Sequence, residues 1–229
     1  MENYKYANVR VEEARAERVR VGDSASYLFL KRAFDILFSS AVIAITFIPS
    51  LILCIAIRLE SPGNPIYAQE RVRGIKPDGS LDTFKMYKFR SMYKDADAML
   101  ESLASQNEAD GPIFKMKDDP RVTKIGKFIR KHSIDEFPQF INVFLGQLTI
   151  VGPRPPRPHE VEQYNAKAMR RLEVKQGLTG PWQTSSRSDS SFDEMVDLDL
   201  EYIENRSVYN DVMFIVRTVK TVIVGDGAY

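Results

Sequence analysis

The sequence predicts a mainly α-helical fold with a few short β-strands, joined to a membrane segment of helix-break-helix form that re-enters the face it left. Three observations carry this expectation. Residues 36–57 run for 22 positions without a charge, and Pro49 divides that run. Past it, turn clusters alternate with short strand-like runs, and the last third reads as amphipathic helix. The chain then divides into an N-terminal arm or surface helix (1–30), the re-entrant membrane helix (31–58) and a cytoplasmic domain (59–229).

The arm carries five basic and five acidic side chains and is expected to have no chemistry of its own. The uncharged run would measure about 33 Å as one helix, enough to cross a hydrocarbon core of about 30 Å. Split at Pro49 it gives arms of about 20 Å and 12–14 Å, neither of which reaches across. Proline also occurs in spanning helices. The flanks bear on the choice: five Lys or Arg in the twenty residues before Phe34, four in the twenty after Ile57. A spanning helix usually has a basic excess on one side, so near balance points to both ends on the cytoplasmic face.

SPGNP and KPDGS read as turns, with IYAQ and FKMYKF as strands beside them. Residues 94–110 read as an acidic exposed helix. In VTKIGKFIRK, Val122, Ile125, Phe128 and Ile129 share one face; such a helix lies in the headgroup plane or faces a core, and spacing alone does not choose. VGPRPPRP is a proline-stiffened loop. Two helical patterns fill 192–224, the second with Val208, Val212, Ile215, Val219 and Ile223 on one stripe.

Composition limits the chemistry. With 229 residues the chain can bury a substantial core. Thirty-two basic against 31 acidic side chains say nothing about partners. Cys54 alone allows no disulfide framework, and His132 and His159 are too far apart for a zinc site. A metal would need carboxylates and substrate oxygens, which favours Mg²⁺. No secretory signal is expected, since the first apolar run begins more than thirty residues in.

The candidate site is KHSIDEFPQF, where Asp135 and Glu136 stand side by side among apolar and basic residues. Ser133 and Glu136 fit a capping box, which accounts for Glu136 but leaves Asp135 without a role. A helix N-terminus also holds phosphate. Two carboxylates there could bind Mg²⁺ bridging substrate phosphates, or one could attack phosphorus. Lys88 and Arg90 (YKFRSM), Arg130 (FIRKH) and Arg154 (GPRPPRP) supply cations suited to phosphate oxygens.

The ordered segments KRAFDILFSS, ESPGNPIYAQERV, FKMYKFRSM, DDPRVTKIGKFIRKHSIDEFPQFINVFLG, TIVGPRP, GLTGPWQ and GDGAY cover nearly all of 31–229. They resemble the bacterial sugar transferases known as monotopic phosphoglycosyl transferases. The resemblance implies a Mg²⁺-dependent enzyme of the bacterial inner membrane with its catalytic domain on the cytoplasmic face. It would move a sugar 1-phosphate from a UDP-sugar to polyprenyl (undecaprenyl) phosphate and release UMP, as the first membrane step of a glycan pathway. It also implies Asp135 as nucleophile, Glu136 assisting through metal or acceptor, and Arg130 and Arg154 on the basic motif positions. Lys88, Arg90, Gln183 and Arg187 would join them in binding substrate. Nucleic acid is not an expected partner; a homodimer is possible. The chain departs from the family pattern at Gln147, Leu148 and Thr149 before VGPRP, at Gln176, at Ser186 beside Arg187, and at Ile48 before the proline.

Two rivals stay open. A membrane-anchored glycosyltransferase would release UDP, with Asp197 and Asp199 as its metal pair. A non-catalytic membrane scaffold would need none of these groups.

Overall fold

The computed structural model describes residues 23–96, 98–103, 116, 118–184 and 191–224. Residues 1–22 of the N-terminal arm, positions 97 and 104–110 of the expected acidic helix, Arg187 and the terminal GDGAY lie outside them, while the arm's last residues, from Ala25, are helical and continuous with the apolar run.

Helix α1, Ala25–Glu60, dominates one side. Ser24 caps it by accepting from Tyr27 N at 3.1 Å, so the helix starts ahead of the apolar run. The expected break at Pro49 is not seen: α1 is one continuous α-helix of 36 residues with Pro49 inside it. Proline deletes a single backbone donor, and a helix can continue through it because every other turn keeps its own bonds. The hydroxyls of Ser40 and Thr46 fold back onto the carbonyls of Ile36 and Val42, each at 2.7 Å, hiding their polarity within the helix. Among the described residues α1 alone is long and apolar enough to cross a membrane. Its middle is bare: Ile45, Phe47, Ile48, Leu51, Ile52 and Ile55 are all exposed.

Both ends of α1 are held by the same domain. Near the start, Lys31 Nζ donates to Asp211 Oδ2 (2.7 Å) and to Val151 O (2.9 Å). Near the end, Ile57 packs with Phe89 and Ile129, and the Glu60 carboxylate accepts from Lys124 N (2.8 Å) and Ile125 N (3.0 Å). Those amides open helix α2, Lys124–Lys131, so a carboxylate at the end of α1 satisfies donors at its N-terminus. The apolar stripe of α2 is divided: Ile129 is buried and Phe128 exposed, so α2 serves both a core and an open face.

Strands β1 (Ile66–Ile75) and β2 (Leu81–Phe89) pair antiparallel with a bulge between Val72 and Gly74. The KPDGS turn closes them as its residues predict: Gly79 takes φ +82, and Lys76 N donates to Ser80 O at 2.9 Å. Helix α3, Gln139–Phe144, follows the acidic pair. Strands β3 (Thr149–Val151) and β4 (Gly177–Thr179) pair in parallel, a contact the sequence did not announce. Glycine is required there. A Cβ on Gly177 would sit 2.1 Å from Gly152 N, so the GPRP loop and the GLTG strand can approach only without side chains.

Helices α4 (Phe192–Asn205) and α5 (Val208–Val224) complete the domain. The main core gathers Val72, Phe84, Met86, Val143, Leu148, Ile150, Tyr164, Val196 and Ile203. On α5 the expected stripe is split: Val208, Val212 and Val219 are exposed, while Ile215 packs on the core beside Phe214 and Asp211 is buried.

Candidate active site

Asp135 and Glu136 lie on a single 3-10 turn, Ile134–Glu136, between α2 and α3. The capping box expected of Ser133 and Glu136 does not form. Ser133 has φ 54, in the left-handed region, and its side chain makes no cap bond. An N-cap needs extended backbone to aim its hydroxyl at the following amides, and this serine does not have it. The dyad therefore precedes a six-residue helix instead of opening a long one. Glu136 is released for another partner: Lys88 Nζ, on β2, donates to its Oε1 at 2.7 Å.

The two acids are electrostatically distinct. Burial pushes the Asp135 carboxyl up to about 6, Lys88 pulls it back, and the neighbouring Glu136 charge adds to the rise. Glu136 is also raised by burial, but Lys88, Arg71 and Arg154 outweigh that and hold it below the usual carboxylate range. Adjacent carboxylates with diverging titration are the arrangement in which one keeps its charge against a cation and the other stays available. Asp135 enters no ion pair among the described residues.

The cations come from four elements. Arg130, in the last turn of α2, acts on Asp135 by its charge. Arg154, in the loop after β3, donates to Glu160 Oε2 at 3.3 Å and lies 6.0 Å from the centre of the Trp182 ring. Glu160, 2 % exposed, also accepts from Arg157 N at 3.1 Å. Arg71, on β1, was missed from the sequence. It is 4 % exposed, donates to Pro155 O at 2.8 Å and to Gln69 Oε1, and feels the charges of Glu160 and Glu136. Burial, with repulsion from Arg154 and Arg157, pushes its pKa down to about 9, so it is still cationic at neutral pH. The run E-R-V-R gave no signal for it. Arg73, two residues on, faces outward and pairs with Asp82 at 2.7 Å, and only the bulged strand separates their fates.

Two other expected binding residues are placed differently. Arg90 donates to the carbonyls of Ser61 and Pro62, at the turn that leaves α1. Gln183 follows Trp182, and its Oε1 is buried without a partner among the described residues, which leaves an acceptor for a ligand donor. The pair offered by the rival glycosyltransferase is split: Asp199 is buried against Arg171 (2.8 Å), while Asp197 is exposed against Lys167. No metal site can form across that helix.

For a divalent cation at the dyad the donor set is the test. No group of three or more His, Cys, Asp or Glu converges among the described residues. Asp135 and the second oxygen of Glu136 are what the chain offers. Two carboxylates completed by phosphate oxygens and water fit Mg²⁺.

A family model described as bacterial sugar transferase matches residues 26–225. The chain belongs to the bacterial sugar transferase family. It is 43 % identical over 205 residues to the galactosyl transferase CpsE of Streptococcus agalactiae, covering 89 % of this chain and 44 % of that protein. It is 39 % identical over 210 residues to the undecaprenyl-phosphate galactose phosphotransferase of Salmonella typhimurium, covering 88 % and 42 %. The exopolysaccharide production protein ExoY of Rhizobium meliloti is 35 % identical over 203 residues, covering 87 % and 88 %. The chain thus spans less than half the length of the first two relatives and most of the third. Every element that builds the dyad and its arginines falls inside the sugar transferase match.

Proposed function

We propose that this chain is a membrane-resident phosphoglycosyl transferase that moves a sugar 1-phosphate from a UDP-sugar to a polyprenyl phosphate. One observation carries the reading. A carboxylate without an ion pair, Asp135, stands beside one held by Lys88, amid Arg71, Arg130 and Arg154, on a domain whose long helix bares its apolar side. Lipid and phosphate chemistry meet there. The relatives' names, undecaprenyl-phosphate galactose phosphotransferase and UDP-galactose-lipid carrier transferase, support it.

In the proposed reaction an Asp135 oxygen bonds to the sugar-bearing phosphorus, and the bond from that phosphorus to the UMP oxygen breaks. UMP leaves with the electron pair. An oxygen of the polyprenyl phosphate then attacks the same phosphorus, Asp135 departs as carboxylate, and the product is a polyprenyl diphosphate sugar. Lys88 fixes Glu136, and Arg71, Arg130 and Arg154 stabilise phosphate charge. Mg²⁺, held by Asp135 and Glu136, would supply neutralisation of diphosphate charge. Chelation should abolish turnover and Mg²⁺ restore it; full activity in EDTA would remove the metal from the scheme.

The direct test is purified protein with a panel of UDP-sugars and undecaprenyl phosphate. UMP and a lipid-linked sugar diphosphate are expected; UDP would mean transfer of the sugar alone, and neither product a scaffold. The acid limb is a second check. Asp135 attacks only when ionised, and burial lifts its pKa to about 6. UMP release from donor alone should therefore rise through about pH 6, and a rate flat from pH 5 to 8 would contradict the assignment.

The placing of both ends of α1 on one membrane face belongs to the same proposal. A bilayer would cover the exposed apolar middle of α1, where Ile45, Phe47, Ile48, Leu51, Ile52 and Ile55 lie bare together. Lys31 and Glu60, one near each end, are held by one domain, which supports both ends lying on the cytoplasmic face. With Cys54 replaced by Ser, cysteines placed at 24 and at 78 should both label from the cytoplasm only. Labelling from opposite sides would establish a spanning helix.

A further inference from the structure

The first turns of α1 also hold the catalytic domain together. Arg32 reaches the far end of the helix that follows the dyad: its Nη1 donates to Val143 O and its Nη2 to Phe144 O, both at 2.8 Å. These are among the last carbonyls of α3; Val143 O also accepts from Gly146 N at 2.9 Å, and Arg32 bridges it to Phe144 O. The chain then turns at Gly146, φ +76, where a Cβ would stand 3.3 Å from Arg32 Nη2. One turn along α1, the Asp35 carboxylate, 2 % exposed, accepts from Ile150 N (2.9 Å) and Thr149 Oγ1 (3.1 Å). Those residues form β3, which leads directly into the loop of Arg154. Lys31 adds its bond to Val151 O.

Three charged side chains within one helical turn and a half thus grip both segments that carry the site. None of the three bonds to the dyad. Helix α3 is also tied to the chain leading into β3, where Gln147 N donates to Asn142 O at 2.9 Å, and to β2, where Asn142 Oδ1 accepts from Tyr87 N at 3.0 Å; α1 adds side-chain bonds to α3 and β3 alike.

We propose that Arg32 and Asp35 are positioning residues. Arg32 sets where α3 lies and, with it, the turn just before α3 that carries Asp135 and Glu136; Asp35 sets where β3 delivers Arg154, and α1 is the common ruler between nucleophile and phosphate-binding arginine. The inference rests on Asp135 being the nucleophile, so the experiment separates the two.

Full-length Arg32→Gln, Arg32→Lys and Asp35→Asn are compared with wild type and Asp135→Asn by rapid mixing with UDP-sugar and no lipid. Burst amplitude counts folded sites, and the burst rate constant reports placement. Arg32→Gln should keep its amplitude and lose about 10- to 100-fold in rate constant, the range of a misplacement near 1 Å. Its donor KM should stay within about twofold. Arg32→Lys, with fewer donors to span two carbonyls, should recover part of the rate. Asp35→Asn, acting through Arg154, should raise donor KM as well. A lowered amplitude with an unchanged rate constant would show that these residues only support folding, and would overturn the proposal. Should Asp35→Asn fail to fold, Arg32→Lys, at a partly exposed position, still decides. A burst retained by Asp135→Asn would instead remove the nucleophile assignment and leave the Arg32 rate effect to be read on steady-state turnover.

Discussion

Asp135→Asn should lower turnover by at least about 10³-fold, the scale on which removal of a covalent nucleophile acts. It should also abolish the stoichiometric UMP release seen with donor alone, together with any sugar phosphate carried on the peptide containing Asp135. The fold should survive, and its direction of change is a second signature. Burial raises the folded pKa of Asp135 above its ordinary value of 3.8 to about 6. Between those two values the folded state binds more protons than the unfolded chain, so stability falls as pH rises through that window. Above pH 6 the ionised carboxylate opposes folding in full, and a neutral amide relieves it. Asp135→Asn should therefore melt at or above the wild-type temperature at pH 7.5 while being inactive. A clear drop in melting temperature would mean that Asp135 is a structural acid. Glu136→Gln separates its neighbour: Lys88 loses its charged partner, so a large rate loss with unchanged melting would assign Glu136 to the chemistry.

Arg154→Lys should lower the rate by about 10²-fold, comparable to the loss of one donor to developing transition-state charge. Lysine keeps the charge and can still meet Glu160. It cannot present two parallel N–H bonds to a phosphate, nor lie flat against the Trp182 ring. Melting should change little, because Arg154 is only partly buried and Glu160 keeps its bond from Arg157 N. Normal turnover in this variant would show that the guanidinium faces solvent during the reaction, and phosphate recognition would then fall to Arg71 and Arg130.

What the sequence determined by itself was local. The 22 uncharged residues of the long apolar run, the KPDGS turn and the helical period of 192–224 follow from residues within one or two turns of each other, and each has its element in the structure. The acidic pair was legible too, because two adjacent carboxylates among apolar neighbours need an explanation from chemistry. Tertiary structure decided the rest. Ser133 and Glu136 had the spacing of a capping box, but the chain passes Ser133 in a left-handed turn and Lys88, 48 residues away, takes the glutamate. Arg71 and Arg73 are the same residue type two apart, and a bulge buries one and exposes the other. Arg90, one strand end from Lys88, is drawn to the carbonyls that close α1. Pro49 promised a break, yet the helix continues through it, and its two ends meet one domain through Asp211 and Lys124. In each case periodicity and spacing record only near neighbours, whereas a charged side chain is placed by whichever distant partner best compensates its loss of water.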